Sequence, residues 1–176
     1  MNSCTRDGAM DFTNRVCQSL HDEHMATIAL FERVEQLLAR HKRADPPDAA
    51  DPGVARLLRD VGTWVDTEIK RHFDFEEKEL FTYLDERGDK SLGTSLSDEH
   101  GMILPLGARL GSLAREAARR PLHPATWEEF WRSGQELAAL IRSHVQKEEM
   151  ALLPVIEDAM DPDTDARLYQ EYADTL

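Results

Sequence analysis

Apolar residues recur at intervals of three and four through most of the chain, and no stretch alternates apolar and polar as a half-buried strand does. The breaks carry Pro, Gly and Asp. This pattern predicts an all-α protein. A first helix is expected over residues 10–43, ending at the PPDAADPG linker, where Asp51 can cap a second helix and Pro52 suits its first turn. The second helix continues to about Arg87, with Gly88 as its stop. A third is expected over 92–120, with a kink at Pro105 and Pro121 beyond its end. A fourth spans 124–160 with a bend at Pro154, and after DPDTD a short helix over 166–172 packs on an end of the assembly. Short connections make successive long helices antiparallel neighbours, so the expected architecture is an up-down-up-down four-helix bundle, one domain over residues 1–176.

The helices resemble each other in pairs, which periodicity alone does not demand. DEHMATIALFERVEQL, from Asp22, matches DEHGMILPLGARLGSL, from Asp98, at DEH and at Leu30/Leu106, Arg33/Arg109 and Leu37/Leu113. HFDFEEKELF on the second helix matches HVQKEEMALL on the fourth at His72/His144, Glu76/Glu148, Glu77/Glu149 and Leu80/Leu152. A repeated helix pair makes a pseudo-twofold bundle whose equivalent side chains converge on the axis.

Placing the histidines on helix faces shows what converges. Val65, Ile69, His72, Glu76, Leu80 and Tyr83 form one stripe, and Leu137, Leu140, Ile141, His144, Glu148, Leu152 and Val155 form another. His24 is in register with Leu20, Ile28, Phe31 and Leu38, and His100 with Leu96, Ile103, Leu104 and Leu110. Four histidines and two glutamates therefore point inward. An unpaired buried carboxylate costs several kcal/mol, so something positive belongs among them.

Imidazole plus carboxylate without thiolate suits iron, manganese or zinc and excludes an iron–sulfur cluster. One tetrahedral zinc needs only four ligands, and this set offers six. Two metals use the set more naturally. If Glu76 and Glu148 bridge, each ion receives two histidine nitrogens and two carboxylate oxygens. An oxo or hydroxo bridge makes five donors, and octahedral iron keeps one open position for O2, NO or peroxide.

Charge and cysteine content narrow the setting. Thirty-four acidic against 21 basic residues give a net charge of −13, which repels phosphate backbones and anionic lipid, so neither nucleic acid nor a membrane surface is expected as a partner. No apolar run is long enough to span a bilayer, and MNSCTRDGAMDF lacks the features of a signal peptide, so a cytoplasmic location is expected. Cys4 and Cys17 have no CxxC spacing and no further thiols, which predicts reduced structural cysteines.

The ordered set His24, His72-x-x-x-Glu76, the Glu-His pair ending at His100, and His144-x-x-x-Glu148-Glu resembles the hemerythrin-like, or HHE cation-binding, domains over roughly residues 15–158. The resemblance implies that these six residues hold a non-haem di-iron centre, with manganese or zinc as substitutes. Oxygen-carrying hemerythrins use a fifth histidine four residues from another on the third helix, but the positions four before and four after His100 are Leu96 and Leu104. The chain thus looks more like the bacterial four-histidine proteins associated with NO, oxidative stress, iron–sulfur repair or sensing of oxygen and iron. Three uses follow as expectations: a binder, sensor or oxidoreductase for O2, NO or peroxide; an iron-sensing or regulatory module that depends on metal; or a structural bundle holding zinc or another divalent metal.

Among the neighbours, Glu68 and Glu99 are candidate hydrogen-bond partners of the ligands or proton relays. Glu23, Glu77 and Glu149 sit about 100° from their ligand neighbours and are expected to face solvent or to form i to i+4 pairs. His21 is a candidate extra ligand or ligand partner. His41 and His123 are expected at the surface, Trp64, Trp127, Phe130 and Trp131 in the packing, and Tyr83 too far from the metal to touch it. Gly107 and Gly111 are placed to permit close helix approach within the bundle or between subunits.

Overall fold

A computed structural model describes residues 12–119 and 122–175. Cys4, the first two residues of the expected first helix, the last residue of the expected third and Pro121 lie outside the described residues. Helix α1 is Arg15–Arg40. Helix α2 covers residues 52–86, as α-helical segments Pro52–Thr63, Ile69–Phe75 and Phe81–Glu86 joined by π-turns Trp64–Glu68 and Glu76–Leu80. Helix α3 is Lys90–Arg119. Helix α4 covers residues 124–159, with Pro124–Lys147 and Leu153–Ala159 joined by a π-turn at Glu148–Leu152. Helix α5 is Pro162–Ala173. The all-α fold is as the periodicity predicts, and α1 to α4 pack in a ring, each against its sequence neighbour and α1 against α4.

The punctuation works largely as the sequence states. Asp51 accepts the backbone N–H groups of Gly53 and Val54 at 2.8 and 3.1 Å, satisfying donors that a helix start otherwise leaves free. Gly88 adopts φ 90°, and the N–H groups of Gly88 and Asp89 donate to the carbonyls of Asp85 and Leu84, the paired bonds of a Schellman ending. Some helix limits differ. Helix α1 starts at Arg15 and stops at Arg40, where His41 turns extended at its C-cap. Helix α3 starts at Lys90 and holds Pro105 inside it, as the sequence places it. Helix α5 begins four residues before Ala166, where Asp161 caps it and Pro162 opens it.

Two apolar clusters fill the bundle. One holds Phe31, Val34, Trp64, Phe73, Ile103, Leu110, Phe130 and Ile141, and the other holds Leu20, Leu80, Leu84, Leu96, Leu152 and Ile156. Four histidines and two glutamates lie between them on every long helix. No helix among the described residues is long and apolar enough to cross a membrane.

Two of the expected inward positions turn out. Leu104 is exposed at 37% and Val155 at 39%, while Ile103 and Ile156 fill the core beside them. Val155 follows the π-turn Glu148–Leu152, which adds a residue to one turn and brings Ile156 inward as the matching turn brings Leu84; the larger Tyr83 at the place matching Val155 stays buried. For Leu104 the inward position is taken by Ile103, one residue closer to His100. Gly111 does allow close approach inside the bundle, since a Cβ there would stand 3.0 Å from Val65 Cγ1 on α2. Gly111→Val is expected to lower unfolding stability by about 1–3 kcal/mol through overpacking, read as a shift in urea midpoint at unchanged slope.

Candidate metal centre

Each long helix contributes to one buried polar layer. Helix α1 supplies His24, α2 supplies His72 and Glu76, α3 supplies His100, and α4 supplies His144 and Glu148. None is more than 5% exposed, and Glu76 and Glu148 are at 0%. Each glutamate opens a π-turn, closed by an N–H bond from Phe81 to the Glu76 carbonyl and from Leu153 to the Glu148 carbonyl. Pro154 follows one of these turns, but Thr82 holds the matching place in the other, so proline is not their shared cause. The turns recur with the His-x-x-x-Glu pairs, and π-turns are frequent at functional sites.

The donor atoms converge in two groups that share both glutamates: His24, His72, Glu76 and Glu148 in one, and His100, His144, Glu76 and Glu148 in the other, each within 4.8 Å. His24 Nε2 is 3.0 Å from Glu148 Oε2, His72 Nε2 is 3.2 Å from Glu76 Oε1, His100 Nε2 is 3.4 Å from Glu76 Oε2, and His144 Nε2 is 3.0 Å from Glu148 Oε1. The Nε2 atoms of His24 and His72 face each other at 3.1 Å. Yet both oxygens of each glutamate, and Nε2 of His100 and His144, are buried without a hydrogen-bond partner. Buried polar atoms are otherwise almost always satisfied. Six such orphans aimed at common points fit cations, and the donor set fits metals that take nitrogen and oxygen.

The opposite edge of each imidazole is held by a carboxylate. Nδ1 of His72 lies 2.8 Å from Glu23, that of His100 2.8 Å from Glu77, that of His144 3.0 Å from Glu99, and that of His24 2.6 Å from Glu149. An ionised carboxylate only accepts, so Nδ1 carries the proton and Nε2 offers its lone pair inward. Glu99 thus stands where the sequence suggested, bonded to His144 and also to Lys147. The expectation that Glu23, Glu77 and Glu149 only face solvent or pair along their own helices is corrected. Each is turned from the ligand beside it and reaches a histidine on the adjacent helix. The repeat carried that signal, because Glu23 matches Glu99 and Glu77 matches Glu149 in the two units.

His21 does not reach the centre; its Nδ1 bonds Glu149 at 2.8 Å and so steadies the partner of His24. The Glu68 side chain borders a cavity of about 270 Å³ whose walls include His24, His72, His144 and Glu148. Its pKa is raised, first by partial burial and then by the charge of Glu23. Trp64, expected as packing alone, also borders this cavity and donates to Thr27 at 3.1 Å. Trp127 and Trp131 cap the end of α1 through the carbonyls of Lys42 and Leu38. His123 is the N-cap of α4, accepting from Ala125. Tyr83 donates to the Ala159 carbonyl, away from the six.

Protons compete with metal for these nitrogens. Burial opposes charge on the histidines, but the surrounding carboxylates outweigh it and raise His24 to about 8, His72 to about 10 and His100 to about 9. Burial also works against ionised Glu76 and Glu148, yet the histidines hold both below the ordinary carboxylate range. A histidine raised in the fold contributes stability that is complete below its ordinary value of about 6.5 and lost as pH rises through the folded value. Metal-free protein should therefore melt at falling temperature between about pH 7 and pH 10. Metal-loaded protein should show little of this slope, because the cation has already displaced the protons. Thermal melts across that range check it, and parallel profiles with and without metal would contradict it.

No curated protein matches the chain significantly. The family model of the hemerythrin HHE cation binding domain matches residues 17–156, the span that contains all six converging side chains. Set beside a ring of four helices and two donor groups sharing two buried glutamates, that match shows a metal-binding module. The chain belongs to the hemerythrin HHE cation-binding domain family.

Proposed function

We propose that this chain carries two iron ions and binds or reacts with O2, NO or a peroxide, as a cytoplasmic sensor or a participant in the response to oxidative or nitrosative stress. The observation that carries the reading is the sharing of Glu76 and Glu148 between two four-donor groups. His24 and His72 would hold one ion, His100 and His144 the other, and both glutamates would serve both. A set of four imidazoles and two carboxylates suits iron, with manganese or zinc as substitutes. When bound, the iron pair supplies electrons and a Lewis-acidic seat for a small ligand.

The remaining work falls to the chain. The four Nδ1 bonds fix ring orientation, and such outer partners raise ligand basicity. The two apolar clusters keep bulk water from the layer, which strengthens every electrostatic contact inside it. Phe73 stacks on His100 at 3.6 Å between centroids, and Phe81 flanks it at 5.6 Å, closing that side. The cavity, walled by Trp64, Ile69, Ile141 and Val145 together with Glu68 and Arg71, would be the way in for a small ligand. Glu68 borders the cavity and would be the group nearest to pass protons to an incoming ligand; Glu99 is already engaged by His144 and Lys147. The lack of a fifth inward histidine supports an exchangeable ligand, since Leu96 is buried in the second apolar cluster and Leu104 faces solvent.

Elemental analysis of protein from iron-replete cells should find about two irons per chain. Because the glutamates are shared, Glu76→Ala or Glu148→Ala should release both ions, whereas His24→Ala should retain about one. Equal losses in all three variants, or a single zinc in the parent protein, would remove the di-iron reading. Stopped-flow mixing with NO and with hydrogen peroxide then separates the uses: saturable adduct formation without turnover indicates a binder, and consumption of the reagent an oxidoreductase.

A further inference from the structure

Helix α5 lies beyond the residues matched by the family, yet it is joined to the centre. Its buried Asp165 accepts the N–H groups of Arg15 and Val16 at 3.1 and 3.0 Å, so it caps the start of α1 from another helix. Tyr169 lies under the Arg15 guanidinium at 3.9 Å, and Leu168 is buried in the second apolar cluster. These contacts deliver Tyr172, 2% exposed, against Phe75 with ring centroids 4.3 Å apart. Phe75 immediately precedes Glu76.

The Tyr172 hydroxyl donates to Glu23 Oε2 at 2.5 Å, and that same oxygen accepts His72 Nδ1–H at 2.8 Å. The other oxygen, Oε1, accepts Arg71 Nη2 at 2.6 Å, and the Arg71 guanidinium lies 4.8 Å over the Tyr172 ring. Glu23 is thus fixed at both oxygens by three donors. Its repeat-equivalent, Glu99, is bonded to His144 and to Lys147, whose side chain is half exposed, and no helix of the second unit supplies a tyrosine to it. Short O–H···O⁻ bonds to a carboxylate are among the stronger hydrogen bonds and fix its plane.

We propose that Tyr172 is a positioning residue of the metal centre: through Glu23 it orients the His72 ring, so that the His24/His72 half is held more rigidly than the His100/His144 half. The inference rests on the metal-binding reading of the six buried residues. Its structural consequence, the fixing of His72, can be tested in metal-free protein independently of that reading. Docking of α5 thereby becomes linked to retention of one ion of the pair.

Tyr172→Phe tests this, because it keeps the ring on Phe75 and Arg71 and removes only the hydroxyl. In full-length metal-free protein with nitrogen-labelled histidine, the variant should speed exchange of the His72 Nδ1–H while leaving those of His100 and His144 unchanged. In iron(II)-loaded protein, extraction by a chelator should show one of two rate constants raised about tenfold, the low end of what outer partners of a ligand contribute, and the other unaltered. Unchanged His72 exchange, or equal acceleration of both extraction phases, overturns the proposal. Ser97→Ala, which removes the hydroxyl bonded to Glu77 at 3.3 Å, provides the comparison in the other half; a response as large as that of Tyr172→Phe also overturns it. If the parent protein takes up no iron, the metal reading fails on that result alone, and the His72 exchange still decides the role of Tyr172.

Discussion

Two carboxylates with no solvent exposure, set between two apolar clusters, are the constraint on which this bundle depends. Ionised carboxylates removed from water cost several kcal/mol each unless something compensates them. Four imidazoles surround them, but in neutral form they bring lone pairs to meet lone pairs, as the 3.1 Å separation of His24 and His72 Nε2 shows. Protonation is one remedy, visible in the raised histidine values, and a cation is the other. The layer is thus neither a core with accidental polar residues nor a surface cleft. It is a polar plane whose buried, unpartnered atoms favour protons or a cation among them.

The outer carboxylates tie this plane to all four helices in sequence. Glu23 on α1 bonds His72 on α2, Glu77 on α2 bonds His100 on α3, Glu99 on α3 bonds His144 on α4, and Glu149 on α4 bonds His24 on α1. Each acidic residue follows or precedes a residue of the polar layer on its own helix and bonds a layer histidine on the next. Helix rotation that carries one inward ligand into place therefore also carries its neighbour into contact with the adjacent helix. Ligand placement and helix packing are set by the same rotation, which gives a physical reason for the Glu-His and Glu-Glu dipeptides in both repeat units.

The symmetry is incomplete in ways that bear on chemistry. A cavity lies beside His24, His72 and His144, while Phe73 and Phe81 flank His100. Helix α5 joins one half only, through Glu23. The two halves of a repeated scaffold thus sit in unequal surroundings.

The sequence by itself determined the all-α class, the helix pairs, the caps at Asp51 and Gly88, and the six side chains of the polar layer. These follow from local rules, since periodicity, capping chemistry and internal repetition act within a few turns of one helix. Only the tertiary structure decided which way Glu23, Glu77 and Glu149 point, because a residue 100° from its own helix's inward face can meet either solvent or the helix beside it. The π-turns likewise escaped a reading at constant period, and with them the rotation that turns Val155 outward and Ile156 inward. Tyr172 lies 149 residues from Glu23, and no local rule links positions so distant. Their contact exists because Asp165 and Leu168 dock α5 across the start of α1, a long-range packing event that the pattern of one helix does not encode.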